Sequence, residues 1–291
     1  MYKSLVLAGC GMKAFLMLGA LEALRIEGEL DLGKIREYIG TSAGSMVAYL
    51  LAIGYTPIEI LVYLCKTQAA QRFPMKLSID SIINKTGVFD FAYIEMHLMK
   101  MTMDKIGYIP TFMDLRKDMN IRFVSVTYNI TEHKMEYISC DTYPNLKCIE
   151  GVHMSSNIPL IFSECIHNSC MYVDGGIVNN FPVDIDCGLP LLAVGFQREV
   201  VKFESQPGLW GLLQYMYHLM FIPLHRIDDI TVSQAKAGSR LIRLPTFGIK
   251  LLNFKISLSM QLDMFTNGYN HIKNKDDEKQ NVSNLYGMEF D

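Results

Sequence analysis

From Tyr38 to Ile58 the chain carries no charged residue, an unbroken run of 21. That is long enough on paper to cross a bilayer as a helix. Its composition forbids one, because Gly40, Thr41, Ser42, Gly44, Ser45, Gly54 and Pro57 interrupt it. Glycine weakens a helix interior and proline removes a donor, so the run reads as strand, turn, helix and loop in a buried core. No transmembrane helix is expected.

The same alternation recurs along the chain. Tyr2 to Ala8 is a short apolar run closed by Gly9-Cys10-Gly11, a buried strand entering a turn. Lys13 to Glu27 places Leu16, Leu18, Ala20, Leu21 and Leu24 against Glu22, Arg25 and Glu27, an amphipathic helix ending near Gly28. Helices are predicted over 45–52, 57–66 and 148–155, and a closing one over 258–273. Strands are predicted over 121–127, 135–139, 171–173, 191–196 and 241–244. Strands alternating with helices argue for an α/β fold with a mostly parallel central sheet and helices on both faces. Residues 1–200 read as the catalytic core, 201–275 as a mainly helical part packed on the same domain, and 276–291 as a polar tail.

Composition narrows the function classes. Half of the 291 residues are apolar, and 27 Lys and Arg stand against 30 Asp and Glu, a net charge of −3. That balance gives no nucleic-acid footprint. Seven cysteines (Cys10, Cys65, Cys140, Cys148, Cys165, Cys170 and Cys187), with no CxxC, read as reduced thiols and fit a cytoplasmic setting. Leu7-Ala8-Gly9-Cys10 looks like a lipoprotein cleavage box, but too few apolar residues follow Lys3 to make a signal peptide.

Three glycine-bearing segments can carry chemistry. Gly40-Thr41-Ser42-Ala43-Gly44 fits the nucleophile elbow G-x-S-x-G between a strand and a helix. Small residues on either side let strand and helix approach, and the turn lifts the Ser42 hydroxyl above the sheet edge. The alternative is a tight turn with an unreactive serine. Gly9-Cys10-Gly11-Met12 offers backbone N–H groups after a strand, suited to an oxyanion. A rival is dinucleotide binding, since Gly9-x-Gly11-x-x-Ala14 fits G-x-G-x-x-G/A and Asp31 follows at about the right distance. Asp31 would then have to end a second strand, where the sequence reads as loop. Asp174-Gly175-Gly176 ends a strand and would share the sheet edge with Gly9 and Ser42 in a parallel arrangement. His97, His133, His218 and His225 carry no local signature of a base.

These motifs, in this order, resemble the patatin-like phospholipases. Ser155-Ser156-Asn157-Ile158-Pro159 and the continuation through Asn180 and Pro182 are similar too, and Phe254 and Gly268 fit loosely. The resemblance implies a patatin-like three-layer α/β fold and a Ser–Asp dyad without a catalytic histidine. Ser42 is then the nucleophile and Asp174 the base. Gly9, Cys10, Gly11 and Met12 form the oxyanion hole, and Lys13, Gly40, Gly44, Gly175 and Gly176 support the motifs. It implies hydrolysis of fatty-acyl esters of phospholipid or another lipid, no metal and no cofactor. The family's usual arginine is Lys13 here, and Cys10 and Ala14 replace glycines. A silent lipid-binding homologue on the same scaffold is the alternative. Leu209 to Phe221, with Trp210, Tyr215, Met216, Tyr217, Leu219 and Met220, is a candidate interfacial helix for peripheral contact with a membrane surface. Phe73-Pro74-Met75 and Met96, Met99, Met101 and Met103 are candidates for an acyl pocket. Both groups are also compatible with plain core packing.

Overall fold

The computed structural model describes residues 2–72, 74, 87–185, 191–197, 207–235, 238–247 and 256–286. Of the residues singled out in the sequence, Phe73, Met75, Cys187 and Phe254 lie outside them, as do the side chains of Tyr217, Met220 and His225.

Strands β1 (Ser4–Leu7), β2 (Glu37–Thr41), β3 (Arg122–Asn129), β4 (Lys134–Ile138), β5 (Cys165–His167), β6 (Cys170–Asp174), β7 (Leu191–Phe196) and β8 (Arg240–Leu244) form one sheet. Its order is β5-β6-β3-β2-β1-β7-β8, with β4 also paired to β3. The pairs β1–β2, β1–β7, β2–β3 and β7–β8 are parallel. The pairs of β3 with β4 and β6, and of β5 with β6, are antiparallel. Period-two alternation divides the sheet between two cores. Leu5, Leu7, Leu192 and Val194 face one, and Val6, Ala8, Ala193 and Leu191 face the other.

The first core is covered by helices. These are α1 (Ala14–Ile26), α2 (Ala43–Ala52), α3 (Pro57–Thr67), α4 (Ala92–Ile106), α5 (Phe112–Asp118) and α6 (Cys148–Ser156). Helix α7 (Gly208–Ser233) sends Val232 to the second core, where Phe181 and Val183 also pack. Helix α8 is Leu258–Tyr286. It runs past Lys273, where the sequence reading stops it, because no glycine or proline follows until Gly287.

The uncharged run folds as its glycines require. β2, the elbow and α2 come from it, and α3 starts at Pro57 after the cap of Thr56, whose N–H meets Glu59 at 2.7 Å. Helices α2 and α3 meet at a bend of 115°. Among the described residues no single helix is long and apolar enough to cross a membrane.

Helix α1 departs from the amphipathic reading. Every residue from Phe15 to Leu24 is buried, Glu22 included. Glu22 pairs with Arg25 at 2.7 Å, which gives the buried carboxylate a partner. Helices α8 and α3 both pack on α1. Helix α8 meets α1 at glycines: a Cβ on Gly19 would stand 1.9 Å from the Phe265 carbonyl oxygen, and one on Gly268 2.0 Å from that of Leu16.

Candidate active site

The nucleophile elbow begins where β2 ends. Ser42 has φ 55° and ψ −129°, a conformation that non-glycine residues rarely hold and that surrounding contacts must enforce. Two contacts enforce it. The Ser42 N–H donates to Ser155 Oγ at 3.0 Å, and Ser155 Oγ–H donates onward to the Val126 carbonyl at 2.5 Å. The elbow's glycines are steric necessities: a Cβ on Gly40 would meet Ser45 Cα at 2.5 Å, and one on Gly44 the Ala8 oxygen at 2.4 Å.

Asp174 reaches Ser42 by a route the sequence reading did not anticipate. It does not arrive on a parallel strand, since β6 runs antiparallel to β3. β3 pairs Val126 with Thr41, the last residue of β2, and Thr127 with Asp174, the last residue of β6. The two strand ends therefore converge at adjacent positions of β3. Ser42 Oγ–H donates to Asp174 Oδ2 at 2.5 Å, and the Gly176 N–H donates to Oδ1 at 2.7 Å. Gly175 admits no side chain, because its Cβ would stand 2.2 Å from the Val126 oxygen.

Burial sets the electrostatics. Ser42 and Asp174 are 8% and 5% exposed. Loss of solvent pushes the Asp174 carboxyl up to about 7, against the pull of the Ser42 and Gly176 hydrogen bonds. The Cys10 thiol, also buried, is pushed up to about 12, which keeps it protonated and a poor nucleophile. Among the described residues no histidine bonds to Ser42 or Asp174. His97 Nδ1 meets Tyr63 Oη at 3.0 Å. His153 stacks on Phe91, and burial pushes it down to about 4.

The glycine loop lies against this pair, and here Gly9 takes another role than expected. Its N–H donates to the Asn180 carbonyl at 2.9 Å, while Asn180 Nδ2–H donates to the Gly9 carbonyl at 3.1 Å. Gly9 is thus clamped to the loop after Asp174, and its N–H is not free for an oxyanion. A Cβ on Gly9 would come 3.3 Å from Ser42 Cβ. No backbone carbonyl among the described residues accepts the N–H of Cys10 or Gly11. Gly11 (φ 50°) opens the short turn Gly11–Lys13 that leads into α1, so these N–H groups lie at the positive end of a 13-residue helix. Lys13 Nζ stands 5.1 Å from the centre of the Phe196 ring, a cation–π contact that ties the loop to β7.

Asp31 sits in the turn before β2, its Oδ1 accepting the Gly33 N–H at 3.0 Å and its carboxylate paired with Lys34. It does not end a second strand, which removes the ribose contact the dinucleotide reading needed. Among the described residues no group of three or more His, Cys, Asp or Glu is placed to hold a metal ion.

An apolar cavity of about 200 Å³ opens from Ser42 between helices α1, α2, α3 and α4. Met101 lines it, whereas Met96, Met99 and Met103 point to solvent at 53%, 43% and 49% exposure. These three belong neither to the pocket nor to the core. Leu213 of α7 is buried and Trp210 packs beside it near Phe162, while Leu212, Met216 and Leu219 are exposed.

Two residues with direct roles here were not singled out as such. Ser155 was noted only within a small-residue stretch, and Asn180 only within a motif continuation. If the acyl-hydrolase expectation from the sequence holds, Ser155→Ala is expected to lower kcat for ester hydrolysis about tenfold or more and leave KM nearly unchanged. The orphaned Ser42 N–H costs about 1–3 kcal/mol and loosens the elbow. Ser155→Thr, which keeps the acceptor, is the rescue control; equal kcat in all three proteins would refute the positioning role.

The chain resembles known proteins in sequence and in fold. The chain is 35% identical over 186 residues to the probable lipid hydrolase 463L of Invertebrate iridescent virus 6, covering 63% of each chain. It is 26% identical to an uncharacterized protein of Acanthamoeba polyphaga mimivirus, covering 63% of this chain and 61% of that one. The chain thus spans less than two thirds of the length of these relatives. Among solved structures, VipD from Legionella pneumophila shares the fold with a TM-score of 0.54 at 17% identity, covering 94% of this chain and 66% of that one. The family model of the patatin-like phospholipases matches residues 5–186, from β1 through the loop that follows Asp174. That stretch is more than half of the chain, and the chain belongs to the patatin-like phospholipase family.

Proposed function

We propose that the protein is a serine-dependent lipid acyl hydrolase that cleaves fatty-acyl esters through an acyl-enzyme on Ser42. The observation that carries this is the 2.5 Å bond from Ser42 Oγ–H to the buried Asp174 carboxylate, at the mouth of an apolar cavity. Family membership and the lipid-hydrolase name of a viral relative support the substrate class.

A serine hydroxyl is a poor acid, and an ordinary carboxylate near pKa 4 is a weak base. An Asp174 carboxyl near 7 narrows that gap. Asp174 takes the Ser42 proton as Oγ attacks the acyl carbonyl carbon. The resulting oxyanion is met by the N–H groups of Cys10 and Gly11, with Met12 behind them at the start of α1. Asp174 then returns the proton to the leaving alcohol oxygen as the ester bond breaks. Water repeats the cycle and frees the fatty acid. Gly9 holds the loop in register through Asn180, and Lys13 braces it on Phe196. The exposed Leu212, Met216 and Leu219 on α7, beside the Phe162 side of the cavity, are suited to a lipid surface.

Exposure to a fluorophosphonate probe tests the reading. The expected result is one adduct, mapped to Ser42, absent from Ser42→Ala. An unlabelled wild-type protein in the presence of liposomes would overturn the hydrolase reading in favour of a silent lipid-binding homologue.

A further inference from the structure

The cavity runs from a polar end at Ser42 to an apolar end among buried residues, and the helices that line it give its depth. Ser42 stands at one end with Ser156, whose Oγ is buried and has no partner among the described residues. A buried hydroxyl left unpaired is unfavourable, so this end is built to meet a ligand oxygen. From there the wall of α2 is Ala43, Met46, Val47 and Leu50, one continuous helix face. Helix α4 adds Ile94, Leu98 and Met101 at the same spacing.

The lining residues nearest the end of the cavity away from Ser42 are Leu18 on α1, Leu50 on α2, Met101 on α4 and, at the start of α3, Ile60, with Leu64 lining the wall a turn further along. Leu18, Leu50, Ile60 and Met101 are 0%, 4%, 2% and 2% exposed, so a chain that reaches them meets the protein core. The seven steps of helix from Ala43 to Leu50, at a rise of roughly 1.5 Å each, make a slot about 10 Å deep. An extended chain of single bonds advances roughly 1.2 Å per bond, so about eight or nine bonds fit between Ser42 and the floor.

We infer that this cavity is an acyl-length gauge, selecting esters of fatty acids of about eight to ten carbons, with Leu50, Ile60 and Met101 as the stop. The inference rests on the hydrolase reading only for the direction of insertion, carbonyl at Ser42 and methyl end at the floor. Each methylene placed in the slot leaves water, and longer chains must leave part of themselves outside. Met101, an unbranched thioether, is the stop residue most easily shortened without a change of helix propensity.

Two arms test it. In the first, kcat/KM is measured for p-nitrophenyl esters of saturated acids from 4 to 16 carbons, below their micelle concentrations. The expected result is a climb of about 3- to 4-fold per methylene that breaks at about eight to ten carbons. Met101→Ala is expected to move the break outward by about two carbons. In the second arm, free saturated acids of the same lengths are titrated calorimetrically into Ser42→Ala, which needs no altered floor. The affinity is expected to break at the same length.

A climb continuing without a break to 16 carbons in either arm, or a break unmoved by Met101→Ala in a folded protein, would overturn the gauge. Short esters cut by Ser42 with no break would sink the gauge and leave the hydrolase standing. A break in acid binding with no ester cleaved would support the gauge and sink the hydrolase.

Discussion

Asp174→Asn is expected to lower kcat/KM for ester hydrolysis by roughly a thousand- to ten-thousandfold while making the protein more stable at neutral and alkaline pH. On the proposed mechanism the loss follows from removing the group that takes the Ser42 proton. The gain follows from linkage. The folded-state carboxyl is raised from 3.8 to about 7 by burial, so between those values the folded protein holds a proton that the unfolded chain has released. The folded state binding more protons means that stability falls as pH rises through that window. Above about pH 7 the full cost is present, on the order of 4 kcal/mol for a shift of this size. Asparagine escapes it, because its oxygen can still accept from the Gly176 N–H and its amide can donate to Ser42 Oγ. Thermal unfolding of wild type and variant at pH 8 should then differ by about 5 °C or more, and at pH 4 the difference should vanish. Equal melting temperatures at pH 8 would mean that Asp174 is not held against its ionised form. The wild-type pH profile provides a second check: kcat/KM should rise with unit slope on the acid side and level off near pH 7.

The second large effect is structural. Gly19→Val or Gly268→Val is expected to destabilise the chain by more than about 3 kcal/mol, read from the denaturant midpoint. Each new side chain would drive into a backbone carbonyl of the facing helix, of Phe265 or of Leu16, and neither can rotate away. The helices must separate, uncovering buried apolar residues of α1 such as Leu16. Activity should fall with stability, because α1 carries the Gly11–Lys13 turn at its start. Gly28, which meets nothing within 4 Å and lies beyond the end of α1, is the comparison site. Its substitution by Asn, a residue that tolerates the positive φ of 77°, should cost far less. A wild-type midpoint for Gly268→Val would show that α8 does not pack on α1 at this spacing.

What the sequence determined by itself was local. The elbow at Gly40 to Gly44, the glycine loop after β1 and the Asp174-Gly175-Gly176 turn were legible because a sharp turn against a neighbouring backbone leaves room only for small side chains. The order of helices and strands was legible from hydrophobic periodicity, and it pointed to the α/β class. The helix ends were less so: α2 starts at Ala43, directly after Ser42, and α8 continues to Tyr286, because capping and charge patterns fix boundaries only loosely. What the tertiary structure alone decided was pairing between distant segments. Period-two alternation tells which face a residue takes, not which strand lies beside it, so the antiparallel arrival of Asp174 at Thr127 could not be read. For the same reason nothing local showed that Gly9 would give its N–H to Asn180, that Ser155 would receive the N–H of Ser42, or that α8 would pack on α1 through Gly19 and Gly268. A hydrogen-bond donor in a loop has its use fixed by whatever the rest of the chain brings within about 3 Å, and that is a property of the fold.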